Sequence, residues 1–239
     1  MLIVLLYHRV GAGKHANTLE MLTTHLEYIK ENYLTVLPGD PLTKRTSICL
    51  TFDDASYDFY HFIFPLLQKL NLRALLAVPV QYILEKTTVA AEIRLKIPYY
   101  IAMQNGVFET KAPFCTWVEL EEMVNSGLVE VASHSMSHPN LTYPHLNLPF
   151  ELLESKRILE NRLPQTISSF VYPFGKANGK IHKEVLKHYP FAFRIGSALN
   201  YSWDCSLKPL SRLLGDHLLS FKGPLSKKGL LSAFIKTLF

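Results

Sequence analysis

The sequence predicts an α/β fold in which a mostly parallel sheet is covered by helices. Almost entirely apolar segments of strand length alternate with segments of helical periodicity, and no repeat of about 20 to 50 residues is present. The chain is 48% apolar and 19% charged, a composition typical of a folded core and not of a disordered protein. These patterns leave open whether the sheet is open or closed into a barrel.

Each element follows from local patterns. The predicted strands are residues 2–7, 33–37, 47–52, 72–78, 128–133, 167–171, 191–195 and 207–213. The predicted helices are residues 17–32, 57–70, 116–127, 150–163 and 180–188. Asn17 with Glu20, and Thr116 with Glu119, have the spacing of a capping box at a helix start. The least regular segment, residues 85–113, is expected to form a long loop over one end. Since no linker is rich in Gly, Ser or Pro, we expect one domain covering residues 1–239.

The excess positive charge lies near the C-terminus. The first 205 residues hold 19 basic and 19 acidic side chains, so the last 34 carry the formal net charge of +5. Residues 227–239 place apolar side chains at helical spacing opposite Lys228 and Lys236, which predicts a basic amphipathic helix. That helix either packs on the body of the protein or makes peripheral contact with an anionic membrane. Nucleic acid is not expected as a partner, because the tail lacks an aromatic-lined sheet or a recognition helix.

Cysteine usage and hydropathy argue against two classes of protein. Cys49, Cys115 and Cys205 are far apart and odd in number, unlike a disulfide scaffold or a zinc ribbon. The apolar run 2–6 is too short for a signal peptide, and no run of about 18 apolar residues could span a bilayer. We therefore expect a cytoplasmic protein, located at the inner face of the membrane if the basic helix docks there.

Polar residues directly follow four of the predicted strands. They are Tyr7-His8, Asp53-Asp54, His134 and Tyr172-Pro173-Phe174-Gly175. Because the carboxyl ends of parallel strands gather at one face of a barrel or sheet, these residues are expected to converge on one pocket.

Two of these motifs together predict a metal site. His134 and His138 stand four residues apart, which lets both imidazoles reach one ion, although solvated loop histidines can have the same spacing. Adjacent carboxylates on extended backbone point to opposite sides, so one of Asp53 and Asp54 can ligate an ion while the other faces a different partner. The alternative for this pair is a cap on the following helix. Two His and one Asp suit zinc and leave positions for water and substrate.

A metal with open positions beside a free carboxylate predicts a hydrolase. The ion lowers the pKa of its bound water toward ~7 and polarises a carbonyl, while the spare Asp removes the proton of the water. The nitrogen of an amide must be protonated before it leaves, and His8, which ends a different strand, is the candidate acid. The alternative is a histidine that is simply hydrogen-bonded at its strand end.

The ordered set of motifs resembles the polysaccharide deacetylase family, also called the NodB-homology or carbohydrate esterase family 4 group. The matching strings are Thr51-Phe52-Asp53-Asp54, His134-Ser135-Met136-Ser137-His138 and Pro173-Phe174-Gly175. The similarity runs through most of the chain. The Tyr7-His8 strand, residues 126–134 and Tyr172 look most like the branch that deacetylates the poly-N-acetylglucosamine of biofilm matrices.

The resemblance implies a distorted (β/α) barrel of about seven strands and metal-dependent N-deacetylation. By matching positions, Asp53 is implied as the general base, and Asp54, His134 and His138 are implied as the metal ligands. The implied cofactor is a divalent metal, with Zn²⁺ expected. The implied partner is an N-acetylated sugar, glycan or lipid- or nucleotide-linked glycan precursor.

The resemblance also suggests roles outside the metal site, with two departures from the family pattern. It implies the backbone N–H of Phe174 as a donor to the oxyanion and, from the biofilm branch, His8 as the acid. The usual Gly after the Asp pair is Ala55, which we expect only to tighten the turn. The Arg that many members place before the third motif is missing. Arg212 resembles a late Arg of the biofilm branch and is the candidate to orient the base, although an ordinary surface arginine explains it equally well.

Aromatic residues cluster around the expected loop and suggest a carbohydrate groove. They are Tyr99, Tyr100, Phe108, Phe114 and Trp117. Sugar rings stack on such side chains, but loop aromatics also fold a loop onto its own core. Two other functions stay open from the sequence: a non-catalytic carbohydrate-binding barrel, and a metal-dependent hydrolase of another C–N bond, such as a cyclic amide.

Overall fold

The computed structural model describes residues 1–13 and 15–237, and its strands alternate with helices along the chain. The strands are β1 (Leu2–Tyr7), β2 (Arg9–Val10), β3 (Ala16–Asn17), β4 (Leu34–Thr35), β5 (Ser47–Phe52), β6 (Ala74–Val78), β7 (Val129–Ser133), β8 (Ser169–Val171), β9 (Phe191–Ile195) and β10 (Leu210–Leu214). The helices are α1 (Leu19–Asn32), α2 (Phe64–Leu70), α3 (Ala91–Leu95), α4 (Tyr99–Ala102), α5 (Phe108–Lys111), α6 (Trp117–Asn125), α7 (Ser155–Arg162), α8 (Gly179–Val185) and α9 (Lys227–Thr237). One π-helical turn precedes α2 (Phe59–Ile63) and another precedes α7 (Phe150–Glu154).

Seven of the strands form a closed parallel barrel. Their order around the barrel is β1, β10, β9, β8, β7, β6 and β5, and the barrel closes where β5 pairs with β1. Every residue of β1 and β5 is buried, because side chains of a barrel strand face either the interior or the surrounding helices. The α/β class and the predicted seven-strand (β/α) barrel are therefore confirmed.

The register of the barrel aligns the ends of neighbouring strands. Tyr7 pairs with Phe52 at the ends of β1 and β5, and the Asp53 amide donates to the Tyr7 carbonyl at 2.9 Å. Ser133 pairs with Val78 at the ends of β7 and β6. The residues that follow these strands consequently leave the barrel at the same level, at its carboxyl face.

Several predicted boundaries were wrong for local reasons. Helix α1 is capped by Thr18, whose hydroxyl accepts from the Met21 amide, and not by Asn17, which is buried in β3. The capping box of Thr116 and Glu119 at α6 is confirmed. The segment 85–113 is not simply a loop, because it contains the short helices α3, α4 and α5.

The C-terminal helix α9 was expected over residues 227–239, of which 238 and 239 lie outside the described residues. Ala233 is buried, whereas Leu231, Phe234 and Ile235 are exposed, so the barrel covers only part of the apolar face. Contact of this helix with a membrane remains a prediction. Within residues 1–13 and 15–237, no helix combines the length and hydrophobicity needed to cross a bilayer.

Candidate active site

The carboxyl face of the barrel brings together all the residues singled out by the sequence motifs. His8 follows β1, the Asp pair follows β5, His134 follows β7, and Phe174 follows β8, while Arg212 lies within β10. The side chains of His8, Asp53, Asp54, His134, His138 and Arg212 are all buried. Two groups of contacts divide them, and these groups lie side by side.

The first group, here called the Asp–His cluster, consists of Asp54, His134 and His138. Asp54 Oδ1 lies 3.5 Å from His134 Nε2 and 3.3 Å from His138 Nε2. The two imidazole Nε2 atoms are 3.2 Å apart. Three ligand atoms of the types that zinc binds thus converge on one point from two different loops.

The backbone directly after β5, at the Asp pair, is not extended as we expected. Asp54 and Ala55 both have left-handed backbone, with φ of 72° and 49°. The expectation of extended backbone at this pair was therefore wrong, and Ala55 does more than tighten the turn. An alanine in this region costs about 1–2 kcal/mol, which the surrounding structure must offset.

A buried carboxylate shapes the loop between the two histidines. Glu151 accepts hydrogen bonds from the Met136 and Ser137 amides at 3.0 and 2.9 Å and from the Ser137 hydroxyl at 2.6 Å. These bonds hold a loop in which His138 itself has a positive φ of 57°. Glu151 was not predicted as a site residue, because an acidic residue near the start of a predicted helix is commonly explained by its favourable interaction with the helix dipole.

The polar atoms of the Asp–His cluster fit a divalent metal ion. Both carboxylate oxygens of Asp54 are buried without a hydrogen-bond partner among the described residues. His134 Nδ1 lies 2.7 Å from the Val171 carbonyl, which leaves its Nε2 lone pair directed at the cluster. Burial, together with His134, lowers the pKa of His138 to about 4, so this imidazole is neutral, as a ligand must be. A buried carboxylate without partners is costly unless an ion balances it.

The second group, here called the paired network, contains Asp53, Arg212, His8 and Asp216. Arg212 is fully buried and binds Asp53 with both arms of its guanidinium, Nη1–Oδ1 at 2.6 Å and Nη2–Oδ2 at 2.8 Å. Burial alone would raise the pKa of Asp53, but the Arg212 charge and hydrogen bonds hold that pKa below its usual value. The alternative of a surface arginine at position 212 is thus wrong.

His8 connects Asp53 to the fourth member of the paired network. Its Nδ1 lies 2.6 Å from Asp216 Oδ2, its amide donates to Asp216 Oδ1 at 3.1 Å, and its Nε2 lies 3.8 Å from Asp53 Oδ2. Burial alone would lower the pKa of His8, but the Asp216 hydrogen bond and the charges of Asp53, Asp54 and Asp216 raise it to about 9. Asp216 was missed, although it stands two residues after β10, where the strand-end criterion used elsewhere would have found it.

Phe174 borders the Asp–His cluster through an unusual backbone. Its φ is 57°, and its half-exposed ring has its centroid 4.8 Å from that of His138. Gly175 follows with a φ of 64°, and a Cβ there would lie 2.7 Å from Ile195 Cβ, so only glycine fits. Two consecutive left-handed residues thus fix the Phe174 peptide against the site.

The loop aromatics divide between the two expected roles. Phe108 and Phe114 are buried against Tyr82, as expected for packing. Tyr100 is exposed, whereas Tyr99 faces the site, where the Asp54 carboxylate and burial raise its pKa.

Comparison with solved structures shows the same fold in proteins of low sequence identity. The deacetylase PplD of Streptococcus pyogenes, in complex with acetate, is 19% identical with a TM-score of 0.73, over 98% of this chain and 97% of its own. IcaB of Ammonifex degensii is 21% identical with a TM-score of 0.73, over 96% of each chain. A polysaccharide deacetylase of Bacillus cereus is 22% identical with a TM-score of 0.74, over 94% of this chain and 68% of its own.

The sequence comparisons agree with the motifs. No curated protein matches the sequence significantly. The sequence model of polysaccharide deacetylases matches residues 41–192, which is more than half of the chain and contains Asp53, the whole Asp–His cluster and Phe174. On this match, the chain belongs to the polysaccharide deacetylase family, whose members are hydrolases of carbon–nitrogen bonds other than peptide bonds.

Proposed function

We propose that this protein is a metal-dependent deacetylase that hydrolyses the N-acetyl group of an N-acetylated sugar or glycan. The observation that carries the proposal is that two complementary groups lie side by side. One is a buried Asp–His cluster whose carboxylate oxygens have no hydrogen-bond partner in the part of the chain that the structure describes, and the other is a paired network with one ionised carboxylate and one protonated imidazole. Amide hydrolysis needs this combination, because a water must lose a proton while the leaving nitrogen gains one.

Asp54, His134 and His138 would hold the metal, and Zn²⁺ matches their ligand types. When bound, a divalent ion supplies Lewis acidity that polarises the acetyl carbonyl and lowers the pKa of water. Asp54 and His134 follow the ends of β5 and β7, and His138 lies in the loop that Glu151 holds, so the ligand atoms are already within 4.8 Å of one another. This preorganisation supports tight binding of a small ion.

Asp53 is the proposed general base. Arg212 fixes both of its oxygens and lowers its pKa, so that Asp53 is ionised and free of its own proton at neutral pH, as a general base must be. As Asp53 takes the proton from the attacking water, the water oxygen forms a bond to the acetyl carbon. Arg212 acts through Asp53 and is a positioning residue.

His8 is the proposed general acid. Its pKa of about 9 means that the imidazole carries its proton at neutral pH, and Asp216 on Nδ1 leaves the Nε2 proton available. When the C–N bond breaks, its electron pair stays on nitrogen, and His8 Nε2 donates the proton that completes the amine. The products are acetate and the free amino sugar. The Phe174 N–H is the proposed donor to the carbonyl oxygen as that oxygen becomes negative.

An assay of acetate release tests this function. The purified protein is loaded with Zn²⁺ and given N-acetylglucosamine oligomers, lipid-linked and nucleotide-linked N-acetyl sugars, and a cyclic amide. We expect acetate from at least one sugar substrate and a large loss in Asp53→Asn. Glycan binding without turnover under any divalent metal would instead identify a carbohydrate-binding barrel, and turnover of the cyclic amide alone would identify a different hydrolase.

Substrate form and location are also proposed. PplD was solved with acetate, and IcaB has the same fold, which supports acetyl hydrolysis on a glycan. We propose action on a precursor at the inner face of the membrane, with α9 making peripheral contact through Lys227, Lys228 and Lys236. Flotation with anionic vesicles tests this contact, and a protein that stays in the pellet would contradict it.

A further inference from the structure

We propose that a cavity beside the Asp–His cluster is a subsite for an apolar group carried by the substrate, such as the alkyl or polyprenyl aglycone of a lipid-linked acetamido sugar. The inference rests on the proposed function and extends it, because it names the part of the substrate that lies beyond the reacting sugar.

The cavity lies between residues 9–13 and 15–16, which follow β1, and residues 95–100, at the junction of α3 and α4. Its volume is about 580 Å³, which falls within the range of about 300–1,000 Å³ typical of small-molecule sites. Most of the lining side chains are apolar, and they include Val10, Ala12, Ala16, Leu95, Ile97 and Pro98. The volume and lining suit a hydrocarbon chain.

Two side chains of the cavity wall lie next to residues of the candidate active site. Tyr99 and His15 belong to its wall, and their ring centroids are 5.8 Å apart. The His15 ring is in turn 4.9 Å from the ring of His8. On its other side Tyr99 lies beside the Asp54 carboxylate. A substrate whose leaving nitrogen meets His8 is therefore separated from the cavity by one side chain, His15.

The polarity of the reaction decides which part of the substrate faces this cavity. His8 protonates the leaving nitrogen, so the sugar that bears this nitrogen lies on the His8 side. The acetyl oxygen lies on the side of Phe174 and His138. Since His15 stands next to His8, a group attached to the sugar is directed toward the cavity, and the acetyl group is directed away from it.

The walls of the cavity are held in place before any ligand binds. The Arg9 guanidinium donates to the Ile97 carbonyl at 3.3 Å and thereby connects the two walls. Arg94, which is buried, donates to both Glu119 oxygens at 2.6 and 2.9 Å and anchors α3. A preformed apolar cavity binds a hydrocarbon chain without the entropy cost of ordering its walls.

The charged side chains of the cavity offer little to a second sugar ring. Arg9 is already engaged by Ile97 and lies 3.6 Å from Asp58, and Lys96 is solvent-exposed. A sugar ring needs several polar partners for its hydroxyls, whereas a hydrocarbon chain needs only apolar surface. His15, Tyr99 and Tyr100 also line the cavity, but the aliphatic side chains outnumber them, so the lining favours the apolar aglycone.

A homologous series of glycosides tests the subsite by binding. Methyl, hexyl and decyl N-acetyl-β-D-glucosaminides, each below its critical micelle concentration, are titrated calorimetrically into the Zn²⁺-loaded protein. Because each buried methylene strengthens binding by up to about fourfold, we expect affinity to rise at least roughly tenfold from methyl to hexyl. Diacetylchitobiose is the comparison ligand for a second sugar ring.

Three variants locate the effect. Ile97→Asp places a charge in the wall, and Ala12→Trp fills the cavity from an exposed position; both should remove the dependence on chain length and leave binding of the methyl glycoside unchanged. Ile93→Asp is the matched control, because Ile93 is exposed on α3 and does not line the cavity. Ile93→Asp should keep the wild-type dependence of affinity on chain length.

Equal affinities along the alkyl series would overturn the subsite, and so would tighter binding of diacetylchitobiose than of the hexyl glycoside. Acetate release is measured separately. If no substrate releases acetate, the proposed deacetylase function is wrong, but the binding series still tests whether the cavity binds an apolar group. If turnover occurs without dependence on chain length, only the subsite fails.

Discussion

The Asp–His cluster and the paired network are adjacent, equally buried and rich in titratable groups, yet their hydrogen bonding is opposite. Among the described residues, neither oxygen of Asp54 has a hydrogen-bond partner, whereas both oxygens of its neighbour Asp53 are bound by Arg212. A buried carboxylate is tolerated either with a partner or with an ion. The contrast supports the proposal that the Asp–His cluster holds a metal ion, whereas the charges of the paired network are balanced by its own residues.

The two groups also differ in how the family match covers them. The matched residues 41–192 contain the whole Asp–His cluster but only Asp53 of the paired network, since His8, Arg212 and Asp216 lie outside. The proposed metal ligands thus belong to two short motifs inside the family match. The proposed acid and the residues that position it and the base come from β1, β10 and the residues that follow them, and β1 and β10 are neighbours only in the folded barrel.

Metal removal should have the largest effect and should act on the Asp–His cluster alone. After dialysis against a chelator we expect acetate release to fall to background and Zn²⁺ to restore it. An ion that binds only the folded state at 100 times its Kd adds about 2.7 kcal/mol of stability, so the melting temperature should rise on reloading. Asp54→Ala should show no such rise in melting temperature. A wild-type melting temperature that does not change with Zn²⁺ would contradict the proposed metal site.

Separate substitution of Asp53 and Asp54 should have the next largest effect, and it should distinguish the paired network from the Asp–His cluster by the free energy of unfolding. In metal-free protein, Asp53→Asn leaves the buried Arg212 charge unpaired and should cost on the order of 3–5 kcal/mol. Asp54→Asn removes a carboxylate that has no hydrogen-bond partner among the described residues and faces only His134 and His138, so it should change stability by less than Asp53→Asn does. Urea unfolding of both variants measures the difference.

The paired double variant Asp53→Asn/Arg212→Met is the control for this comparison, because it removes the buried charge together with its partner. It should recover most of the stability that Asp53→Asn loses, while acetate release stays about 10²–10⁴-fold below wild type. Equal destabilisation by Asp53→Asn and Asp54→Asn would mean that the contrast in hydrogen bonding has no energetic counterpart.

The sequence predicted the members of the Asp–His cluster more completely than those of the paired network. Strand-end motifs located His8, the Asp pair and His134 because a parallel barrel collects such positions at one face. Asp216 carries no motif, and a buried Arg212 in an apolar strand cannot be told from a surface residue without knowing which strand lies opposite. The left-handed backbone at Asp54 and the cavity walls depend on tertiary contacts, such as those of Arg9 and Arg94, that local pattern does not contain.

Asp216→Asn should shift the pH dependence of the paired network without disabling it. The Asp216 hydrogen bond, with the charges of Asp53, Asp54 and Asp216, raises the pKa of His8 to about 9, so the acid form is lost only as pH rises through that value. Without the Asp216 charge the pKa of His8 falls, and the alkaline decline of kcat should move to lower pH by about one unit or more. His217→Asn, next in the chain, is the control. An alkaline limb that stays in place would remove His8 from the role of acid.

Phe174→Ala should have the smallest effect, because the proposed donor is the backbone N–H and not the ring. The variant keeps the N–H, so kcat should stay near wild type while KM rises less than about tenfold through lost stacking on the sugar. Gly175→Ala is the contrasting variant, since its Cβ would lie 2.7 Å from Ile195 Cβ and displace the Phe174 peptide. Loss of one such donor lowers kcat by about 10²–10³. Melting curves establish that both variants are folded, and a larger kcat loss in Phe174→Ala than in Gly175→Ala would assign the role to the ring.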